Sequence, residues 1–296
     1  MAKIHTPIPS LKLNDGTSMP MLAYGTGTAW FKKSEQKSLD QACIDGVKAA
    51  IKLGYTHLDG AEVYKTEREL GVAIKEGGVP RENLYVVTKV LNAEGNIEDA
   101  LKESLKRLDL GHVDLYLIHA PFFAKTDEDL QKAWASMEAV QKAGLTKSIG
   151  VSNFLPRHLQ AILKTAKVIP VCNQIEFHPY LQRKELIEFN KKHGIATTAY
   201  GPLSAATKAK PGPADGYLAA LSKKYAVSEA EISLRWCIDQ DVVPITTSGK
   251  EQRLSDYLRA ATFKLTPKEI KELNELGDQK HYRGFWQAKF DDNDRS

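Results

Sequence analysis

Cysteine is scarce in this chain of 296 residues, and the three present, Cys43, Cys172 and Cys237, stand far apart. The scarcity excludes a disulfide framework, and the spacing supplies no metal-ligand pair, so no metal is expected. An odd, sparse set suits a reducing compartment. Charge of one sign is lacking too: 41 Lys and Arg against 37 Asp and Glu leave a formal net charge of +4. That balance makes no case for nucleic acid, which wants a clustered basic face. Lys191-Lys192 and Lys223-Lys224 read as solvated helix faces. No stretch reaches the roughly 18 apolar residues of a membrane span, and the opening MAKIHTPIPS lacks the apolar core of a secretory leader. The expectation is a cytoplasmic protein with neither a nucleic-acid nor a membrane partner.

What is present is an ordinary globular balance of 42% hydrophobic and 26% charged residues, in a chain long enough to bury a large core. LKLNDGTSMPML alternates apolar positions around Asp15-Gly16, a hairpin signal. Short apolar runs then recur at LAYG (22–25), THLD (56–59), LYVVTK (84–89), VDLYLIH (113–119), KSIGVS (147–152), VCNQIEF (171–177), IATTAY (195–200) and VVPITT (242–247). Helical stripes fall between or after them: Ile44, Val47 and Ile51; Leu101, Leu105 and Leu108; Leu130, Trp134 and Met137; Leu254, Leu258 and Ala261. Ser228 with Glu231 and Thr266 with Glu269 are capping boxes, the second with Pro267 at the first helical position.

Strand-like runs separated by helices argue for a parallel sheet covered on both faces. No linker divides the chain; the Pro/Gly-rich KAKPGPADG (208–216) reads as a long loop inside the alternation, so one domain over 1–296 is expected. An open doubly wound sheet would need a G-x-G-x-x-G after an early strand, and GTGTAW (25–30) lacks the third glycine. A closed α/β (β/α)8 TIM barrel with an N-terminal β-hairpin plug is the better reading.

In such a barrel the active site lies at the C-terminal ends of the strands. There the second run ends on Asp59, the third on Lys89 and the fourth on His119, while Tyr64 follows the second in its loop. Taken singly, the acid caps a turn, the lysine faces solvent and the histidine is structural. Together they make an acid. A phenol with a pKa near 10 is a poor proton donor at neutral pH. A lysine cation beside it favours the phenolate, an aspartate holds that lysine charged, and a neutral histidine orients a carbonyl. The product is a proton donor aimed at an oxygen becoming an alkoxide.

The chain resembles the aldo-keto reductases over essentially its whole length. GYTHLDGAEVY (54–64) is similar to that family's G-[YF]-R-H-[IL]-D-T-A-x-x-Y motif, VTK (87–89) to its strand-three lysine motif, and DLYLIHAP (114–121) to D-L-Y-L-I-H-x-P. IGVSNF (149–154) and NQIEFHPYLQ (173–182) match two further signatures. The resemblance implies a catalytic tetrad of Asp59, Tyr64, Lys89 and His119, and NADPH lying extended across the barrel mouth. It implies that Ser152, Asn153 and Gln174 hold the carboxamide, that the nicotinamide stacks on Tyr200, and that Gly27, Thr28, Asp59, Gly201 and Leu203 also meet the cofactor. Gly60 stands where threonine is usual and Gly201 where serine is. The loop APFFAKTDEDL (120–130) is short, and PITTS (244–248) replaces I-P-K-S, leaving Thr247 in the lysine position. These departures resemble most the yeast and fungal α-keto amide or conjugated polyketone reductases.

The expected function is NADPH-dependent reduction of a small-molecule carbonyl compound, an α-dicarbonyl or conjugated polyketone such as isatin or ketopantoyl lactone. An aldose, xylose or glycerol-dehydrogenase type of reductase is the alternative. A non-catalytic NADPH-binding scaffold on the same barrel is the rival from another class, and the intact tetrad argues against it. The short loop should leave room for bulky ketones among Tyr64, His119, Trp30, Phe122, Phe123 and Trp286. For the cofactor's 2′-phosphate, Thr247 and Ser248 supply hydroxyls. Arg253 falls where the family has its phosphate-binding arginine, and Lys250 substitutes for the missing lysine. The helix faces show no long a/d seam, so a monomer is the default.

Overall fold

The computed structural model describes residues 7–34, 36 and 38–296; residues 1–6, on which part of the reading of the chain start rests, lie outside the described residues. The hairpin forms where the Asp-Gly turn puts it. β1 (Ser10–Lys12) pairs antiparallel with β2 (Ser18–Pro20), Leu11 opposite Met19, and Gly16 takes the left-handed φ of 86° that the turn requires. Asp15 accepts from Ser148 Oγ at 2.5 Å and the Pro20 carbonyl meets His57 Nδ1 at 3.0 Å, so the hairpin is seated on the N-terminal ends of the barrel strands.

The eight runs become eight parallel strands: β3 (Ala23–Gly25), β4 (His57–Asp59), β5 (Tyr85–Val90), β6 (Val113–Ile118), β7 (Thr146–Ser152), β8 (Cys172–Glu176), β9 (Ala196–Tyr200) and β10 (Val242–Thr246). β10 pairs with both β9 and β3, closing the barrel. Every residue of β3 to β6 is buried, as near-continuous apolar runs predict for strands covered on both faces. Among the described residues no helix is long and apolar enough to cross a membrane.

The outer layer follows the stripes. α1 (Gln41–Leu53) buries Ile44, Val47 and Ile51; α2 (Glu67–Glu76) lies beside it; α3 (Ile97–Leu108) buries Leu101, Leu105 and Leu108. α4 (Asp127–Lys142) buries Leu130, Trp134 and Met137 and starts on a capping box, Thr126 with Asp129, that the sequence reading passed over. After α5 (Pro156–Leu163) and α6 (Lys184–Lys192) come two helices between β9 and β10, α7 (Asp215–Tyr225) and α8 (Glu229–Ile238). α8 and α10 (Pro267–Asp278) carry the two expected boxes. The late stripe differs from expectation. α9 (Glu251–Tyr257) stops after two turns and tightens into a 3-10 turn over Leu258–Ala261, so Tyr257 and Ala260 are buried while Ala261 is only half-buried.

Candidate active site

The tetrad forms because three successive barrel strands, and the turn that follows the first of them, end at one place. Asp59 closes β4 and Lys89 lies one residue before the end of β5, both buried; Lys89 Nζ donates to Asp59 Oδ1 at 2.6 Å and to the Gly60 carbonyl at 2.7 Å. Tyr64 arrives on a 3-10 turn, Glu62–Tyr64, ended by Lys65 at φ 59°. That turn is pinned from outside, since Glu62 Oε1 accepts the Leu91 N–H at 2.7 Å. Lys89 Nζ then stands 3.3 Å from the Tyr64 hydroxyl, and His119 Nε2, one residue beyond β6, 3.5 Å from it on another side. The second Asp59 oxygen accepts from Gln174 Nε2 at 2.9 Å, tying the tetrad to β8. Gly60 is tight where the resemblance led to threonine: a Cβ there would meet Leu70 Cδ2 at 3.1 Å and the Val87 carbonyl at 3.3 Å.

Burial and charge compete at each group. Burial pushes the Tyr64 phenol above its ordinary value; the Lys89 cation pulls it back without reversing the shift. The expectation that lysine leaves this phenol more acidic than usual is therefore corrected, because in the buried site desolvation of the phenolate outweighs the ammonium. Burial also works against the charge on Lys89, but Asp59 and Tyr64 together outweigh it and raise its pKa. His119 is driven well below its ordinary value by burial and then by Lys89, so it is neutral at physiological pH, and its buried Nδ1 has no hydrogen-bond partner. A neutral imidazole and a phenol backed by an ammonium can orient a carbonyl oxygen and protonate it.

The residues expected to meet a cofactor line the same rim. Asn153, in the left-handed region at φ 62°, donates to the His119 carbonyl at 2.8 Å and accepts from the Tyr200 hydroxyl at 2.5 Å. Ser152 Oγ donates to the Gln174 carbonyl at 2.8 Å. Tyr200 thus ends β9 half-buried with its hydroxyl fixed, and Phe285 meets its ring edge-on at 5.1 Å. Gly201 lies at φ 64°, a conformation that explains glycine in place of serine, and Leu203 packs half-buried beyond it. Gly27 lies against the Tyr64 ring so closely that a Cβ would come within 2.6 Å of it, while Thr28 is exposed. After β10, Thr247 Oγ1 is buried without a hydrogen-bond partner, Ser248 Oγ accepts the Lys250 N–H at 3.0 Å, and the Lys250 and Arg253 side chains are exposed.

Of the four aromatic pocket candidates the structure brings two to the tetrad. Trp286 meets the His119 ring edge-on at 6.0 Å, and Phe122 packs against Trp286 at 5.1 Å. Phe123 instead packs against the hydrophobic core. Trp30 turns away from the tetrad: its indole N–H donates to the Tyr24 hydroxyl at 2.7 Å, and its ring lies against Gly46 and Gly249. The aromatic ring beside Tyr64 is Phe31, edge-on at 6.3 Å and 47% exposed, which the sequence reading missed. Phe290, edge-on to Phe122 at 6.1 Å, and Glu176 were missed as well. Glu176 is buried at the end of β8 and accepts the Gly284 and Phe285 N–H groups at 2.7 and 3.1 Å, mooring the segment that carries Trp286. The signal for that segment was an aromatic set, Phe285, Trp286 and Phe290, in an otherwise polar tail.

A sequence model of the aldo/keto reductase family matches residues 22–278. An NAD/NADP-dependent indole-3-acetaldehyde reductase of Schizosaccharomyces pombe is 42% identical over 273 residues, covering 91% of this chain and 96% of that protein. An NADPH-dependent alpha-keto amide reductase of Saccharomyces cerevisiae is 39% identical over 290 residues, 93% of each. Among solved structures, a Bombyx mori aldo-keto reductase in complex with NADP superimposes with a TM-score of 0.79 at 35% identity, over 90% of this chain and 92% of that one. With the barrel closed, the family motifs at its strand ends and identities of this size along almost the whole length, the chain belongs to the aldo/keto reductase family.

Proposed function

We propose that this protein is an NADPH-dependent carbonyl reductase acting on flat α-dicarbonyl or conjugated ketones. The observation that carries the reading is one buried ammonium, Lys89, shared between Asp59 and the Tyr64 hydroxyl, with a neutral His119 beside that same hydroxyl. The residues at the rim suit the cofactor: Tyr200 offers a ring held by its own hydroxyl, Thr247 an unpartnered buried oxygen, and Lys250 and Arg253 exposed cations. Ser152, Asn153 and Gln174 would hold the carboxamide and Tyr200 the ring, while Lys250 and Arg253 would take the 2′-phosphate. When bound, NADPH supplies a hydride to the carbonyl carbon. Tyr64 donates its proton to the carbonyl oxygen, His119 orients that oxygen, and Lys89, held charged by Asp59, stabilises the phenolate left behind.

The substrate class rests on the walls. Phe31 stands beside Tyr64 and Trp286 beside His119, with Phe122 packed on Trp286, an aromatic lining for flat conjugated compounds rather than polyhydroxy sugars. The similarity to an indole-3-acetaldehyde reductase and an alpha-keto amide reductase supports the same direction. The test follows NADPH oxidation with isatin, ketopantoyl lactone and xylose by the wild type and by Tyr64→Phe. The expected result is a higher kcat/KM for the dicarbonyls, and loss of turnover in the variant with NADPH binding retained. Higher efficiency on xylose than on either dicarbonyl overturns the substrate class; wild-type-like turnover by Tyr64→Phe overturns the acid.

A further inference from the structure

Two consecutive aromatic residues in the loop between β3 and α1 point to different parts of the molecule. Trp30 fastens onto the loop after β10. Its indole N–H donates to the Tyr24 hydroxyl at 2.7 Å, and that hydroxyl donates to the Ser248 carbonyl at 3.2 Å. The indole also occupies the space beside Gly249, where a Cβ would stand 3.2 Å from its Cη2, and beside Gly46 in α1, where a Cβ would stand 2.8 Å from its Cζ2. Phe31, the next residue, lies edge-on to the Tyr64 ring.

The same stretch touches Tyr64 on both sides of Trp30. Ahead of it, Gly27 lies against the Tyr64 ring with no room for a side chain. Behind it, the Lys32 N–H donates to the Tyr64 carbonyl at 3.1 Å, and the Lys32 ammonium is locked into a buried ion pair with Glu69. Glu69 also accepts the Asp40 N–H at 2.9 Å, so the far end of the loop is anchored to α2. Residues 27–32 therefore begin and end on the tyrosine, and their middle is held by the β10–α9 loop. Adjacent Cα atoms are about 3.8 Å apart, so a shift of the Trp30 backbone is passed directly to Phe31.

We propose that residues 27–32 form a strap that couples occupation of the β10–α9 loop to the setting of Tyr64, with Trp30 as its positioning residue. The inference rests on the reading that Lys250 and Arg253 receive the cofactor's 2′-phosphate. A phosphate drawn to that loop orders Ser248 and Gly249, and Trp30 carries the ordering to the ring that flanks the acid. The 2′-phosphate then affects the rate of the chemical step as well as affinity, although it binds far from the carbonyl. Coupling of this kind acts in both directions on binding, since the linkage is thermodynamic.

The experiment uses the full chain as wild type, Trp30→Phe and Tyr24→Phe, the last removing only the hydroxyl that joins the indole to Ser248. Single-turnover reduction of isatin is timed with saturating NADPH and with saturating NADH, and the dissociation constants of both cofactors are measured. Intrinsic emission is also followed on adding adenosine 2′,5′-bisphosphate or 5′-AMP without any nicotinamide. The expected wild-type result is faster turnover with NADPH than with NADH, and a change in emission with the bisphosphate that is absent in Trp30→Phe. In both variants the rate ratio should fall at least threefold towards one. An unchanged ratio in Tyr24→Phe and Trp30→Phe, with Arg253→Met still losing NADPH affinity selectively, overturns the strap alone. An emission change that persists in Trp30→Phe also overturns it. Full NADPH affinity in both Lys250→Met and Arg253→Met overturns the phosphate assignment, and the strap with it.

Discussion

At the scale of single residues, the proposed acid is a balance between burial and one cation. The phenol of Tyr64 is raised by burial first, with Lys89 opposing, so it remains protonated throughout the neutral range. Reduction should accordingly show no loss of kcat attributable to the phenol until the pH exceeds the ordinary phenol range near ~10; a decline centred near neutrality in a pH–rate profile would contradict this. Lys89→Met removes the only cation within hydrogen-bond reach of that hydroxyl among the described residues, and leaves the buried carboxylate of Asp59 without its ammonium. Loss of turnover by about 100-fold or more is expected, with NADPH affinity far less affected, as separate kinetic and binding measurements would reveal. The meeting of these residues at one place was legible in the sequence because each ends or follows a strand, and strand ends converge in any closed parallel barrel. The net direction of the phenol's shift was not legible, since desolvation depends on everything packed round the group.

At the scale of elements, periodicity predicted well and packing decided the details. The stripe of α3 located the helix because its apolar residues recur at the helical period and the barrel wall covers them. The end of α9 was missed because its last turn tightens, a change that the apolar spacing does not report. A glycine shows the same division. Gly71 lies inside α2, where alanine on a solvated helix would be favoured by about 1 kcal/mol. Here a Cβ would come within 2.3 Å of the Leu108 carbonyl at the end of α3, so the two helices would have to part. Gly71→Ala should therefore destabilise the protein, by about 1–3 kcal/mol, despite its better helix propensity. Thermal or urea unfolding measures the sign directly; a more stable variant would show that the two helices can separate at little cost.

At the scale of the whole molecule, the barrel holds neutral histidines at both of its ends. His57 is lowered by burial, against the Pro20 carbonyl and Asp59, with Lys89 and Asp114 as smaller influences; His119 is lowered further by burial and Lys89. A depressed pKa in the fold means that below the ordinary histidine value near ~6.5 the unfolded chain binds protons the folded chain refuses. Their contribution to stability is intact above that pH and is lost as the pH falls, by up to about 1.4 kcal/mol per pH unit for each histidine. The midpoint of thermal unfolding should drop between pH 7 and pH 5, and less steeply in His119→Gln; a flat midpoint across that range would argue that the rings take up protons as readily in the fold as in the unfolded chain. By itself the sequence determined the eight strands, the hairpin, two of the helix capping boxes and the four polar residues at the barrel mouth, because periodicity and strand ends are local properties with a fixed consequence in a parallel barrel. Only the tertiary structure decided that Trp30 grips the β10–α9 loop while Phe31 meets Tyr64, that Glu176 moors the tail bearing Trp286, and that burial rather than Lys89 sets the direction of the Tyr64 shift. The reason is physical: the direction of a loop side chain and the desolvation of a buried group are both set by contacts from residues distant in sequence.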